Sequence, residues 1–180
     1  MQSITRNPIA DPGILGVNTG ASLFVVIGIA FFGIDTANQF IWFALTGSAL
    51  TAVFVYMIAS AGNGGMTPIK LALSGSAASA VLTSLVSVIM LPRSNAMDAF
   101  RFWQVGSVSG ATWESVLLIL PFIAAGLAIS MLSALALNAL ALGDEAATGL
   151  GVKVGITRLA CAAAGVMLTG AITAIAGPIG

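Results

Sequence analysis

VLLILPFIAAGLAISMLSAL, residues Val116–Leu135, decides the fold. Its twenty residues carry no charge and are apolar on every helical face. About 20 such residues cross roughly 30 Å of hydrocarbon as one helix. On either side, the charges fall like punctuation. Asp11 to Asp35, Asp35 to Lys70, Lys70 to Arg93, Glu114 to Asp144, and Arg158 to the end are each charge-free between their bounds. These intervals frame five candidate spans: Ile14–Phe32, Ile41–Ala59, Leu71–Leu91, Val116–Leu135 and Leu159–Ala176. In lipid only helices and closed barrels satisfy every backbone group. The runs are too long and too continuously apolar for barrel strands, so the sequence predicts an all-α polytopic membrane protein. Pro121 falls in the first turns of the fourth expected span, where a missing N–H costs little.

Composition agrees. Of 180 residues, 58% are hydrophobic and 7% charged, where a soluble domain carries roughly 25% charged; mean hydropathy is +1.07. Six Lys plus Arg balance six Asp plus Glu, so no basic excess points to nucleic acid. With no His and one Cys, Cys161, a zinc site, a disulfide framework and a His-dependent triad are excluded. No expected span contains a charge, which argues against a self-powered ion-coupled transporter. GxxxxGK[ST] is absent, so nucleotide hydrolysis through a P-loop is not this chain's work. Met1–Gly13, with one Arg, one Asp and two Pro, lacks the basic n-region of a signal peptide.

Lys and Arg in short loops set orientation. Arg6, Lys70, Lys153 and Arg158 fall in one set of alternate loops, Arg93 and Arg101 in the other. The first set is expected inside. Trp42, Trp103 and Trp113 are expected at the outer headgroup level. Between the third and fourth spans, Met97, Phe100, Phe102 and Trp103 surround Asp98 and Arg101. That pattern predicts a short interfacial helix, either resting on the membrane or docking an external partner, followed by a turn at Gly106–Thr112.

In the third span, Gly75, Ser79, Thr83, Ser76 and Ser87 fall at about 0, 40, 80, 100 and 120° of a helical wheel, with Ala72 and Ala80 in or beside that arc. Leu71, Leu82, Leu85 and Ile89 are assigned to the other side. The small polar face serves either close helix packing or a path for a polar substrate. Gly16, Asn18 and Gly20 make a second small polar patch, read as packing.

ALNALALGDEAATGLGVKVGITR, Ala136–Arg158, is the most specific segment. Leu137, Leu140 and Ala141 give a short helical stripe, broken at Gly143. Asp144 is expected to cap the next turn, with Glu145 favourable near a helix N-terminus. Ala146, Ala147 and Leu150 form a second stripe, ended at Gly151. Two helices too short to stand alone suit a partner's groove; an ordinary interfacial loop is the alternative.

This segment resembles the cytoplasmic coupling loop of the FecCD permease family, "LNxLxLGExxAxxLG", at Leu137, Asn138, Leu140, Leu142, Gly143, Ala147, Leu150 and Gly151. Asp144-Glu145 stand where the family has a single Glu. Thr5–Ala21 is similar to "NPLAxPGxLGxxxGA", Phe102–Trp113 to "WxxGSLxGxxW", and Ala176–Gly180 to the start of "AGxIGFIGLxxPH". The resemblance implies five transmembrane helices of a roughly ten-helix ABC importer permease. On this reading the chain is an internal piece, corresponding to the family's third to seventh helices.

The resemblance further implies residues 1–180 as a partial permease domain in the bacterial cytoplasmic (inner) membrane. The cargo is an iron–siderophore-type metal chelate, haem or cobalamin. Expected partners are the lipid bilayer, an ABC ATPase, a second permease subunit and a periplasmic or lipid-anchored binding protein. No cofactor is expected on this chain; ATP and Mg²⁺ belong to the ATPase. Coupling falls to Leu137, Asn138, Leu140, Leu142, Gly143, Asp144, Glu145, Ala147, Leu150 and Gly151, within the loop Ala136–Arg158. Pathway lining falls to Gly75, Ser76, Ser79, Thr83 and Ser87, and a cytoplasmic gate to Thr67, Pro68 and Ile69. Arg93 and Arg101 are candidate binding-protein contacts from position alone. A non-transporting membrane scaffold, or an intramembrane enzyme pairing Lys70 with Ser74, remain the alternatives.

Overall fold

A computed structural model describes residues 12–61, 67–105 and 112–178. Among them every regular element is helical. A 3₁₀ turn, Pro12–Leu15, leads through Gly16 into α1 (Val17–Ile27), which continues as a π turn, Gly28–Phe32. Then follow α2 (Ala37–Ser60), α3 (Pro68–Met90), α4 (Ser94–Val105), α5 (Trp113–Leu132), α6 (Ala134–Ala141), α7 (Asp144–Gly149) and α8 (Val154–Ala176).

Four helices, α2, α3, α5 and α8, are long and apolar enough to cross a membrane. The first expected span is shorter than its apolar run. Gly16 and Gly33, both left-handed, close it at the two ends. That leaves eleven α-helical residues and a five-residue π turn. Three of the other helices, α2, α3 and α5, begin earlier than hydropathy alone suggests, because threonine caps extend them. Thr36 Oγ1 accepts from Gln39 N, and Gln39 Oε1 accepts in return from Thr36 N, a capping box. Thr67 accepts from Lys70 N, with Pro68 in the first turn, and Thr112 accepts from Ser115 N. The early start of α5 moves Pro121 from the first turns into the helix interior. There its missing N–H removes a bond from the ladder, and the low-cost reading of that proline does not hold.

Helices α1, α2 and α8 form the centre, with α3 against α1 and α2, and α5 against α8. The α1–α2 crossing is set by glycines. A Cβ at Gly20 would overlap Thr51 and sit 2.7 Å from the Gly47 carbonyl oxygen, and one at Gly47 would press 2.7 Å from Phe24 Cβ. Polar bonds tie the three central helices. Ser48 Oγ donates to the Val17 carbonyl (3.2 Å), and Thr173 Oγ1 donates to Asn18 Oδ1 (2.9 Å). In an apolar solvent such bonds hold helices together that hydrophobic burial cannot.

Two corrections concern which side faces where. Trp42 and Trp113 are exposed, but Trp103 is buried. It lies with Phe100 beneath α4, against Val25, Ile41, Ala44 and Met90. The apolar stripe of α4 is used up on the bundle, while Asp98 and Arg101 face outward. On α3, Leu71 is buried and Leu82 and Ile89 are partly buried toward the bundle. Only Leu85 of that set is exposed. The seam Leu71–Gly75–Ala78–Leu82 repeats every three to four residues and lies on the bundle side, while Leu73, Val81, Leu85 and Val88 are exposed.

Among the described residues, none of the ten charges lies in the middle of α2, α3, α5 or α8; Asp98 and Arg101 lie within the short α4, and the other eight fall in connections or the first two turns of helices. Single cysteines at Asn38 and Ser60, both exposed at opposite ends of α2, are therefore expected to react with an impermeant maleimide from opposite sides of the membrane in a Cys161→Ala background. Equal access from one side would overturn this topology.

Candidate functional site

At the Ser60 end of the bundle the chain makes two short helices around a glycine. α6 stops at Ala141, Gly143 takes φ 118° and ψ 159°, and α7 runs from Asp144 to Gly149. That backbone region is essentially restricted to glycine. No atom lies within 4 Å of a Cβ built on Gly143, so conformation alone selects the residue. Ala139, Leu140 and Ala147 form a small core with Leu137, Val152 and Val154. Leu142 and Leu150 are exposed, at 73% and 67%, as are Asn138 and Glu145. The segment therefore hides Leu140 and Ala147 and offers Asn138, Leu142, Glu145 and Leu150 outward. Gly151, at φ 80°, turns the chain toward α8.

Asp144 does not cap α7. The cap position belongs to Gly143, with no side-chain bond. The Asp144 carboxylate instead accepts from Arg158 Nη2 at 2.9 and 3.1 Å. The Arg158 side chain is 12% exposed and that of Asp144 46%. Arg158 also stands at the edge of an apolar groove of about 310 Å³, lined by Ala52 and Tyr56 of α2, Leu71 of α3 and Ala162 and Val166 of α8. Sequence reading missed this pair because its members lie fourteen residues apart, and only the turn at Gly151 brings them together. The charge-bearing, glycine-broken segment was the available signal.

The α3 face divides. Gly75 is buried and Ser79 half-buried near Gly16, whose Cβ would lie 3.3 Å from Ser79 Oγ and 3.8 Å from the Gly75 oxygen. These two serve packing. Ser76, Thr83 and Ser87 are exposed, and each hydroxyl donates to its own helix, to Leu73 O (3.1 Å), Ser79 O (2.8 Å) and Thr83 O (3.0 Å). Thr67 is the helix cap, and Ile69 is 73% exposed beside it. Arg93 donates to the Ile89 carbonyl and stacks 4.6 Å over Phe31, whereas Arg101 is exposed. Residues 1–11, 106–111, 179 and 180, which carry much of three quoted sequence blocks and the expected turn, lie outside the described residues.

Fold and charge placement together define a multi-pass membrane protein. The profile of the FecCD transport family matches residues 1–180, and the chain belongs to that family. It is 42% identical over 180 residues to the ferric enterobactin transport system permease protein FepD of Escherichia coli K12, covering 99% of this chain and 54% of that one. It is 41% identical to the Fe(3+)-citrate import system permease protein YfmD of Bacillus subtilis 168, covering 100% of this chain and 53% of the relative. A solved structure described as an inward-facing conformation of a metal-chelate type ABC transporter superposes with TM-score 0.82 at 27% identity, covering 99% of this chain and 57% of its own. The chain thus spans about half the length of the curated relatives it matches.

Proposed function

We propose that this chain is part of a permease subunit of an ABC importer that carries an iron–siderophore-type chelate, haem or cobalamin across the bacterial cytoplasmic membrane. The observation that carries this reading is the pair α6–Gly143–α7, which presents Asn138, Leu142, Glu145 and Leu150 outward from a FecCD-family bundle. Helices of eight and six residues do not stand alone in water. They gain from a groove on a partner, and an ABC ATPase offers one. Family membership and relatives named as iron-chelate permeases support the same view.

In this mechanism a separate ATPase, holding ATP and Mg²⁺, closes and pushes on the pair. The push reaches α5 and α8, which flank the pair in sequence and pack on each other at Gly126 and Leu168. The bundle then tilts between inward- and outward-open states. A second permease subunit supplies the facing wall of the pathway, and Ser76, Thr83 and Ser87 line this chain's side. Gly75 and Ser79 contribute by letting α1 approach, and Ile69 narrows the inner end beside Thr67 and Pro68. Arg101 meets an external binding protein; Arg93 holds the end of α3 to the π turn.

The protein purified in mild detergent is expected to retain the ABC ATPase co-expressed with it. Recovery at the level of an unrelated membrane protein would refute the coupling role, and would leave a scaffold or an intramembrane enzyme to account for the chain.

A further inference from the structure

We propose that the Arg158–Asp144 pair clamps α7 onto the first turns of α8, so that the short helical pair and α8 move as one body. This rests on the coupling role proposed above and adds to it the route by which a push enters the membrane.

Helix α7 is bordered by two glycines at positive φ, Gly143 at 118° and Gly151 at 80°, and neither is crowded by a neighbour within 4 Å. Such joints bend with little steric resistance. The apolar cluster beneath them is small: Ala139, Leu140 and Ala147 are buried, and Leu137, Val152 and Val154 are only partly so. A load on α7 meets at Gly151 only one backbone bond, Val152 N–H to the Ala147 carbonyl (3.0 Å), and the light contacts of Val152 and Val154 across that joint. Arg158 spans it. It lies on the second turn of α8, beyond the joint, and one nitrogen holds both oxygens of the first residue of α7. Its guanidinium is largely shielded, with the side chain packed at the edge of the groove beside Tyr56 and Leu71. Shielding strengthens a charge-assisted bond relative to a fully solvated one. Arg158 is thus a positioning residue that acts through Asp144.

The test has a structural and a functional arm. Spin labels at Thr148 on α7 and Ile172 near the far end of α8, both exposed, report whether the two helices keep one distance, in a Cys161→Ala background. The parent should give a narrow distribution, and Asp144→Asn a clearly broader one. The same width in both would overturn the clamp. In the permease with its ATPase, Asp144→Asn is expected to lower uptake per ATP hydrolysed about tenfold, between the effects of exposed and buried pairs, with the ATPase still retained. Arg158→Lys should keep part of that ratio. The exchange Asp144→Arg with Arg158→Asp should recover more of it than either single reversal, which holds the test open if Asp144→Asn inserts poorly. Failure of the exchange to recover anything counts against the clamp. Glu145→Lys separates the two claims. If it weakens ATPase retention while Asp144→Asn leaves the ratio at the parent value, the clamp is wrong and the coupling role stands. If neither variant changes anything, both fall.

Discussion

Leucine at position 20 should separate α1 from α2 while leaving each helix able to insert. The site has no room even for a Cβ, which would overlap Thr51 and lie 2.7 Å from the Gly47 carbonyl oxygen. The obstacle is partly backbone and so cannot rotate away. Overpacking of this kind costs typically about 3 kcal/mol at its upper range, and here the whole crossing must shift. The hydrogen bonds from Ser48 to Val17 and from Thr173 to Asn18 lie beside the crossing and would lengthen with it. The expected result for Gly20→Leu is normal membrane insertion, sharply raised protease sensitivity and a lower unfolding midpoint in denaturing detergent. Gly155→Ala is the control. A Cβ there meets nothing within 4 Å, and alanine in a helix is favoured over glycine by roughly 0.5–1 kcal/mol. Equal midpoints for Gly20→Leu and the parent would contradict the α1–α2 contact.

Valine at position 143 should abolish uptake without removing the protein from the membrane. The backbone at Gly143, φ 118° and ψ 159°, costs a residue with a Cβ on the order of 1–3 kcal/mol, and a β-branched one lies at the upper end. Because no neighbour crowds the position, the variant escapes strain by changing φ, which redirects α7. Leu142 and Glu145, on either side of the turn, then no longer point as a set. Glu145→Lys should act more mildly and locally, replacing a carboxylate that suits a helix N-terminus. The measurements are membrane level, ATPase retention and uptake in the complete permease. Parent-level uptake by both variants would return Ala134–Gly151 to the status of an ordinary loop.

What the sequence revealed followed the strength of each local signal. Charge spacing located the apolar helices because lipid tolerates no alternative, and Gly143 and Gly151 marked the short pair because few residues adopt their backbone. The readings that failed depended on neighbours. Trp103 looked like a headgroup anchor, but α4 folds onto the bundle and buries it. Pro121 looked terminal until the Thr112 cap lengthened α5. Hydropathy cannot tell the bundle side of α3 from the lipid side, since both are apolar. Leu71 and Ile89 were thus legible as greasy and illegible as inward. The Asp144–Arg158 pair lay beyond any helical spacing rule, which reaches only three or four residues.

The hydroxyls of α3 have one further consequence. Ser76, Thr83, Ser84 and Ser87 are all exposed, and each spends its single hydrogen on a carbonyl of its own helix. A hydroxyl so committed has only lone pairs left to present. The exposed side of α3 therefore carries acceptor oxygens whose donors are turned inward, set among the exposed Leu73, Val81, Leu85 and Val88. Water and N–H groups can donate to those oxygens. A bare carboxylate finds no proton there to meet it.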